Sequence, residues 1–128
     1  MSVPAVNLYA AWTGFLLGAV AGAVQGLFFH REDWLGGYGS WTRRMLRLGH
    51  VSFFGLALFN LAFALSLGAP AADLRAVWSS RLFLVAAATM PLLCYLSAFR
   101  PAFRHLFFVP VLSVIAGAGT FLWRLLRP

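Results

Sequence analysis

The sequence predicts an all-α integral membrane protein, an up-down-up-down bundle of four transmembrane helices in a single membrane domain over residues 1–128. Three observations support this fold class. Hydrophobic residues make up 62% of the chain, whereas soluble proteins contain about 45–50%. Four apolar runs of about 20 residues are each long enough to cross the hydrocarbon core of a bilayer. All five tryptophans lie near a predicted helix end, where amphipathic rings favour the headgroup region.

The first transmembrane helix is predicted over residues 8–29. Four glycines recur at every fourth position along it: Gly14, Gly18, Gly22 and Gly26. Glycines at this spacing let two helix backbones approach closely in lipid, so the stripe is interpreted as a glycine zipper for helix packing. Two kinds of partner remain open. One is the fourth helix of the same bundle, through Ser113 and Gly117, and the other is a second copy or another subunit.

The second helix is predicted over residues 45–67. Ser40 or Thr42 can cap its start by accepting a hydrogen bond from a free backbone N–H group. Gly68 and Pro70 follow the apolar run and predict its end, because glycine and then proline commonly follow a helix C-terminus.

The third and fourth helices are predicted over residues 81–99 and 105–125. Ser79 or Ser80 is the expected cap of the third helix, and Pro91 is expected to kink it. Pro110 falls in the first turns of the fourth helix, where proline is tolerated.

The distribution of arginine predicts the orientation of the bundle. An even number of helices places both termini on one face, side A, and the loops 30–47 and 99–105 on the opposite face, side B. Side B holds six arginines and side A four, so the positive-inside rule predicts that side B is cytoplasmic and that both termini are periplasmic. The absence of lysine from a chain rich in Ala, Gly, Leu and Arg is typical of a GC-rich genome. We therefore expect a bacterial inner-membrane protein.

Three histidines are predicted to lie on side B at similar depth: His30, His50 and His105. Histidine is a common ligand of transition metals and of haem. One interpretation is therefore a cofactor site, such as a haem b held by His50 together with His30 or His105. The other is that these histidines are half-solvated structural groups at the membrane interface.

Two amides lie within the predicted spans, Gln25 and Asn60. Each needs a hydrogen-bonding partner in lipid, because an unpaired polar group there costs several kcal/mol. We expect hydrogen bonds between helices, and the alternative is a quinone or substrate pocket.

The sequence disfavours two functional classes. All three acidic residues lie outside the apolar spans, and no nucleophile–base pair, carboxylate pair or phosphate loop is present, so an autonomous enzyme is not favoured. The net charge of +7 comes from arginines that flank the spans, so we expect lipid contacts and no nucleic-acid binding.

The favoured function is a non-catalytic subunit or accessory component of a larger membrane complex, with energy-transducing or electron-transfer complexes as the expected setting. Its partners would be the lipid bilayer and either other subunits or a second copy, docked on the glycine face. The alternatives are a small homo-oligomeric transporter or channel, and a haem- or metal-binding membrane subunit that uses the side-B histidines.

Overall fold

The computed structural model describes residues 1–67 and 73–126, and over these residues it contains helices and no strand. The four long helices are α1 Val3–Gly26, α2 Trp41–Ser66, α3 Leu74–Phe99 and α4 Phe108–Leu126. Two short 3-10 helices, Trp34–Gly36 and Pro101–Leu106, lie between α1 and α2 and between α3 and α4. The four helical segments are long and apolar enough to cross a membrane. The predicted fold class is confirmed.

The starts of α1 and α3 differ most from the prediction. α1 begins at Val3, with Pro4 in its first turn, and the polar residue Asn7 is part of the helix because its side chain is fully buried. α3 begins at Leu74 because Asp73 caps it, and Asp73 Oδ1 accepts a hydrogen bond of 2.9 Å from the Ala76 backbone N–H. The predicted caps of α3, Ser79 and Ser80, instead lie inside the helix.

The starts of α2 and α4 shift in opposite directions. α2 begins at Trp41, and the Ser40 hydroxyl accepts a hydrogen bond of 3.2 Å from the backbone N–H of Arg43. α4 begins at Phe108 because the segment before it forms a 3-10 helix. The predicted stop of the second helix at Gly68 and Pro70 lies outside the described residues.

The pair α2–α3 forms the centre of the bundle. α1 packs along α2 with a smaller contact to α3, and α4 packs along α3. The start of α1, the end of α2 and the start of α3 meet at side A, as expected for helices that alternate in direction. There Phe63 of α2 also contacts Phe121 of α4, with ring centres 4.9 Å apart.

Candidate functional site

A network of neutral polar side chains joins α1, α2 and α3 near side A. Asn7 Nδ2 donates to Asn60 Oδ1 at 2.7 Å, and Ser80 Oγ donates to Asn7 Oδ1 at 2.5 Å. Asn60 Nδ2 in turn donates to the backbone carbonyls of Leu56, at 2.9 Å, and Phe83, at 3.5 Å. Asn7 and Asn60 are both 0% exposed. The network therefore gives both buried amides their hydrogen bonds without water, as a bundle in lipid requires.

Gln25 forms a second polar contact, between α1 and α3, towards side B. Its Nε2 donates to the hydroxyl of Tyr95 at 2.9 Å. Its Oε1 is buried and has no hydrogen-bond partner among the described residues. The sequence predicts Gln25 and Asn60 as buried amides, whereas Asn7 precedes the predicted start of the first helix at residue 8, so its role is missed.

The glycine stripe of α1 lies against α2. A Cβ atom at Gly14 would be 3.0 Å from the Cβ of Ala57 and 3.2 Å from a backbone oxygen of α2, so the two backbones are in close contact there. At Gly18 and Gly22 the space is filled by rings: a Cβ would lie 2.7 Å from Cε2 of Phe54 and 2.5 Å from Nε2 of His50, respectively. Between the two helices, the contact therefore changes from the methyl group of Ala57 to the rings of Phe54 and His50 towards side B.

The remaining small residues of the predicted packing set have other surroundings. At Gly26 a Cβ would meet nothing within 4 Å. Gly117 faces α3, where a Cβ would lie 3.1 Å from Cε1 of Phe83, and Ser113 donates to the Val109 carbonyl of its own helix at 2.8 Å. The alternative that paired the stripe with Ser113 and Gly117 is thus replaced by packing on α2, because α1 lies along α2 and α4 along α3.

The histidines lie in different environments. His50 packs into the notch at Gly22, and its ring is perpendicular to that of Phe54 at a centre distance of 5.4 Å. His30 follows α1 in the loop and His105 lies in the second 3-10 helix, and both are exposed.

This placement does not fit an axial haem ligand at Nε2 of His50, because that atom faces the α1 backbone at Gly22. Within residues 1–67 and 73–126, no group of three or more His, Cys, Asp or Glu side chains is arranged to hold a metal ion.

A buried arginine organises side B, and sequence reasoning missed it. Arg43 is 2% exposed, and its Nη1 donates to the backbone carbonyls of Arg31, at 3.4 Å, and Glu32, at 3.3 Å. Three rings surround its guanidinium, with centres 5.5–5.6 Å from Cζ: Phe29, Trp34 and Tyr38. We refer to Arg43 and these three rings as the Arg43 cluster. It fixes the loop between α1 and α2 against the bundle.

Two further hydrogen bonds join the start of α2 to the end of α3 at side B. Trp41 Nε1 donates to the Ser97 carbonyl at 2.7 Å, and Thr42 Oγ1 donates to the Ala98 carbonyl at 3.0 Å. These carbonyls belong to the last turn of α3, where intrahelical partners are lacking. Trp41 and Thr42 thus donate hydrogen bonds to backbone carbonyls at the end of α3, near the membrane interface.

Two of the grooves on the outer surface of the bundle are relevant to binding. The first, of about 390 Å³, lies between α1 and α3, over part of α2. Six of its eleven lining residues are small: Ala10, Thr13, Gly14, Ala57, Ala87 and Ala88. The other five are larger: Tyr9, Leu17, Phe53, Leu56 and Leu84. The second, of about 360 Å³, lies between α2 and α4 with Met90 of α3 in its floor, and larger aliphatic and aromatic side chains line most of it. We call them the α1–α3 groove and the α2–α4 groove.

Comparison with known proteins adds no function. No protein-family model, curated protein or solved structure matches the chain. The geometry of the bundle and its grooves is therefore the basis for the functional proposal.

Proposed function

We propose that this integral membrane protein is a non-catalytic helical component of a larger membrane assembly, which a transmembrane helix of another subunit joins at the α1–α3 groove. Energy-transducing and electron-transfer complexes are the expected setting, because such complexes contain small multi-helix subunits that supply packing surface. The observation that carries the proposal is the small-residue lining of this groove on both α1 and α3.

Small residues matter here because of how helices associate in lipid. Lipid tails are as apolar as leucine, so helix association depends on close van der Waals packing and on interhelical hydrogen bonds. Ala10, Thr13 and Gly14 on α1 and Ala87 and Ala88 on α3 present little side-chain bulk towards the groove. An incoming helix can therefore bring its backbone close to both.

The polar groups within the spans favour a packing role over a transport pathway. Asn7, Asn60 and Ser80 are buried and hydrogen-bonded to one another. The acidic side chains of the chain, which a proton-coupled pathway would use within the membrane, are all in the loops. Polar side chains in this bundle thus hold helices together and leave apolar surface for partners.

The orientation with side B in the cytoplasm is part of the proposal. Its support is the excess of arginine at side B, six residues against four. Fusion of alkaline phosphatase to the C-terminus tests it, because that enzyme is active only in the periplasm. An active C-terminal fusion supports the proposed orientation. The opposite orientation follows if the C-terminal fusion is inactive and a fusion in the loop 30–47 is active.

The assembly is tested by native mass spectrometry of the protein extracted gently from its own membranes. We expect the mass of the chain together with other subunits. Ala88→Leu fills the α1–α3 groove from an exposed position, and we expect it to reduce the bound fraction at least about tenfold, as expected for a loss near 1.4 kcal/mol. Ala19→Leu is the matched control, because Ala19 is also exposed but lies outside the groove.

Two results would contradict the proposed function. A homo-oligomer without other subunits would favour the small transporter or channel. Retention of the partner subunits by Ala88→Leu would show that the α1–α3 groove is not where they bind.

A further inference from the structure

The α2–α4 groove is about as long as one leaflet of the hydrocarbon core is thick. Along α2 its lining extends from Leu48 to Phe59, a helical rise of about 16 Å over 11 residues. One leaflet of a typical hydrocarbon core is about 15 Å thick. The side chains that line it on α4 are also apolar, among them Val111 and Ile115. A single extended acyl chain from the side-B leaflet matches both the length and the polarity of this groove.

An unpaired cation lies at the side-B end of the same helix face. Arg44 precedes Leu48 by one helical turn, so the two side chains share a face of α2. The Arg44 side chain is exposed and forms no hydrogen bond or ion pair with the described residues. Side chains of a helix point towards its N-terminus, so the guanidinium extends from the groove towards the headgroup region of side B.

The neighbouring arginines of α2 are used differently. Arg43 is buried in its aromatic cluster, and Arg47 lies 4.1 Å from the ring centre of Tyr38 while donating to the Tyr38 carbonyl at 3.1 Å. Both therefore hold the loop between α1 and α2. Arg44 is left free above the groove, and Arg104, in the 3-10 helix that leads to α4, is a second exposed cation at side B.

We propose that the α2–α4 groove is a binding site for one anionic glycerophospholipid of the side-B leaflet. One acyl chain lies in the groove, and the headgroup phosphate binds Arg44. Charge complementarity selects the anionic headgroup, because no acidic side chain of the described residues forms an ion pair with Arg44. The site shares only the lining residue Leu56 with the α1–α3 groove and does not depend on the proposed assembly.

The test uses the full chain in detergent micelles that contain equal amounts of phosphatidylglycerol and phosphatidylcholine with identical acyl chains. Native mass spectrometry then counts the lipid molecules retained. We expect one retained phosphatidylglycerol, favoured about fivefold over phosphatidylcholine, which is the contribution of one arginine near an anionic lipid. Arg44→Gln should bring the two lipids to equal occupancy.

Gly55→Leu tests the acyl-chain part of the site. Gly55 lines the groove and has nothing within 4 Å of an added Cβ, so the leucine enters the groove without disturbing the bundle. We expect it to lower the occupancy of both lipids at least about fivefold, since it blocks the space for the chain.

Matched controls separate a specific site from general charge or bulk. Arg31→Gln removes an exposed arginine of the same side, and Gly119→Leu adds the same bulk at another open glycine outside the groove. Both should bind lipid like the wild type. Equal retention of the two lipids by the wild type would overturn the proposal. So would an equal loss in Arg31→Gln and Arg44→Gln, or full lipid retention by Gly55→Leu.

Discussion

At side A the helices are joined by neutral side chains, whereas side B buries a charged arginine, Arg43. Hydrogen bonds from Asn7 to Asn60 and from Ser80 to Asn7 join three helices. Arg43 lies in the first turn of α2, among aromatic rings and backbone carbonyls of a loop. Buried polar groups are thus stabilised by hydrogen bonds between side chains at side A, and by aromatic rings and backbone carbonyls at side B.

The difference follows from the free energy that it costs to bury each kind of group at its position. A neutral amide can be buried inside a bundle in lipid when each of its donors and acceptors is paired. A full charge is far more costly at membrane depth, and a cation at a helix N-terminus is also disfavoured by the helix dipole. The ring faces and carbonyls around Arg43 provide negative potential that compensates both effects. Burial of charge is therefore confined to the interface.

The largest expected effect comes from breaking the side-A network. Asn60→Leu leaves Nδ2 of Asn7 without an acceptor, so we expect the free energy of unfolding to fall by about 2–3 kcal/mol. Unfolding of the reconstituted protein by sodium dodecyl sulfate, followed by circular dichroism, measures this change. Thr89→Val is the control, because the Thr89 hydroxyl bonds only to the Val85 carbonyl of its own helix. A similar loss in both variants would contradict an interhelical role for Asn60.

The second prediction concerns the packing of α1, which is tight against α2 at Gly18 and open at Gly26. Gly18→Leu would force its side chain into the ring of Phe54, so we expect a loss of about 2 kcal/mol from overpacking. Gly26→Leu enters open space and should change the stability by less than about 0.5 kcal/mol. The same unfolding measurement compares the two. Equal losses would mean that α1 and α2 are packed equally tightly along their length.

The third prediction concerns side B. Arg43→Met keeps much of the side-chain volume but removes the charge that the rings and carbonyls hold. We expect trypsin to cleave after Arg31 about tenfold faster, because local opening of the loop becomes easier. Arg47→Met should raise the rate only about twofold, since Arg47 is more exposed and, among the described residues, its guanidinium bonds and stacks only with Tyr38. Mass spectrometry of the fragments gives both rates, and equal rates would show that Arg43 has no special role.

The smallest effect is expected at the exposed charges of side A. The backbone N–H of Ala76, and to a lesser extent Arg124 at 3.0 Å, hold the pKa of Asp73 below its ordinary value of 3.8. Because the folded-state pKa is lowered, the stabilisation is present above about pH 4 and is lost as the pH falls through the folded-state pKa. Carbon-13 NMR titration should find that Arg124→Gln raises this pKa only in part. Full recovery of the ordinary value would assign the shift to Arg124 instead of the helix cap.

The number and approximate positions of the helices could be predicted because long apolar runs and flanking tryptophans report directly on the membrane. The helix starts were less predictable. Hydropathy identifies the residues that face lipid. Asn7 and Ser80 are polar, but they lie within helices because side chains of neighbouring helices form hydrogen bonds with them. One signal was available: Asn7 and Gln25 are 18 residues apart, five helical turns, so they share a face.

The neighbours within the bundle could not be predicted from spacing. A glycine stripe defines one face of a helix but not which helix it meets, so α2 could not be chosen over α4. The Arg43 cluster was missed for a related reason. Arginine near a helix start was interpreted as a topology signal, and only the path of the loop brings Trp34 and Tyr38 around it.

The packing of each helix on its immediate predecessor in the chain also has a consequence for biogenesis. When helices leave the insertion machinery in order of synthesis, α2 finds α1, α3 finds α2, and α4 finds α3, so no helix has to wait for a distant partner. Asn7 is the exception. Asn7 can donate to Asn60 as soon as α2 enters the bilayer. The side-chain oxygen of Asn7, however, lacks a donor until Ser80 arrives with α3. The hydrogen bonds of Asn7 are therefore complete only when α1, α2 and α3 are together in the bilayer.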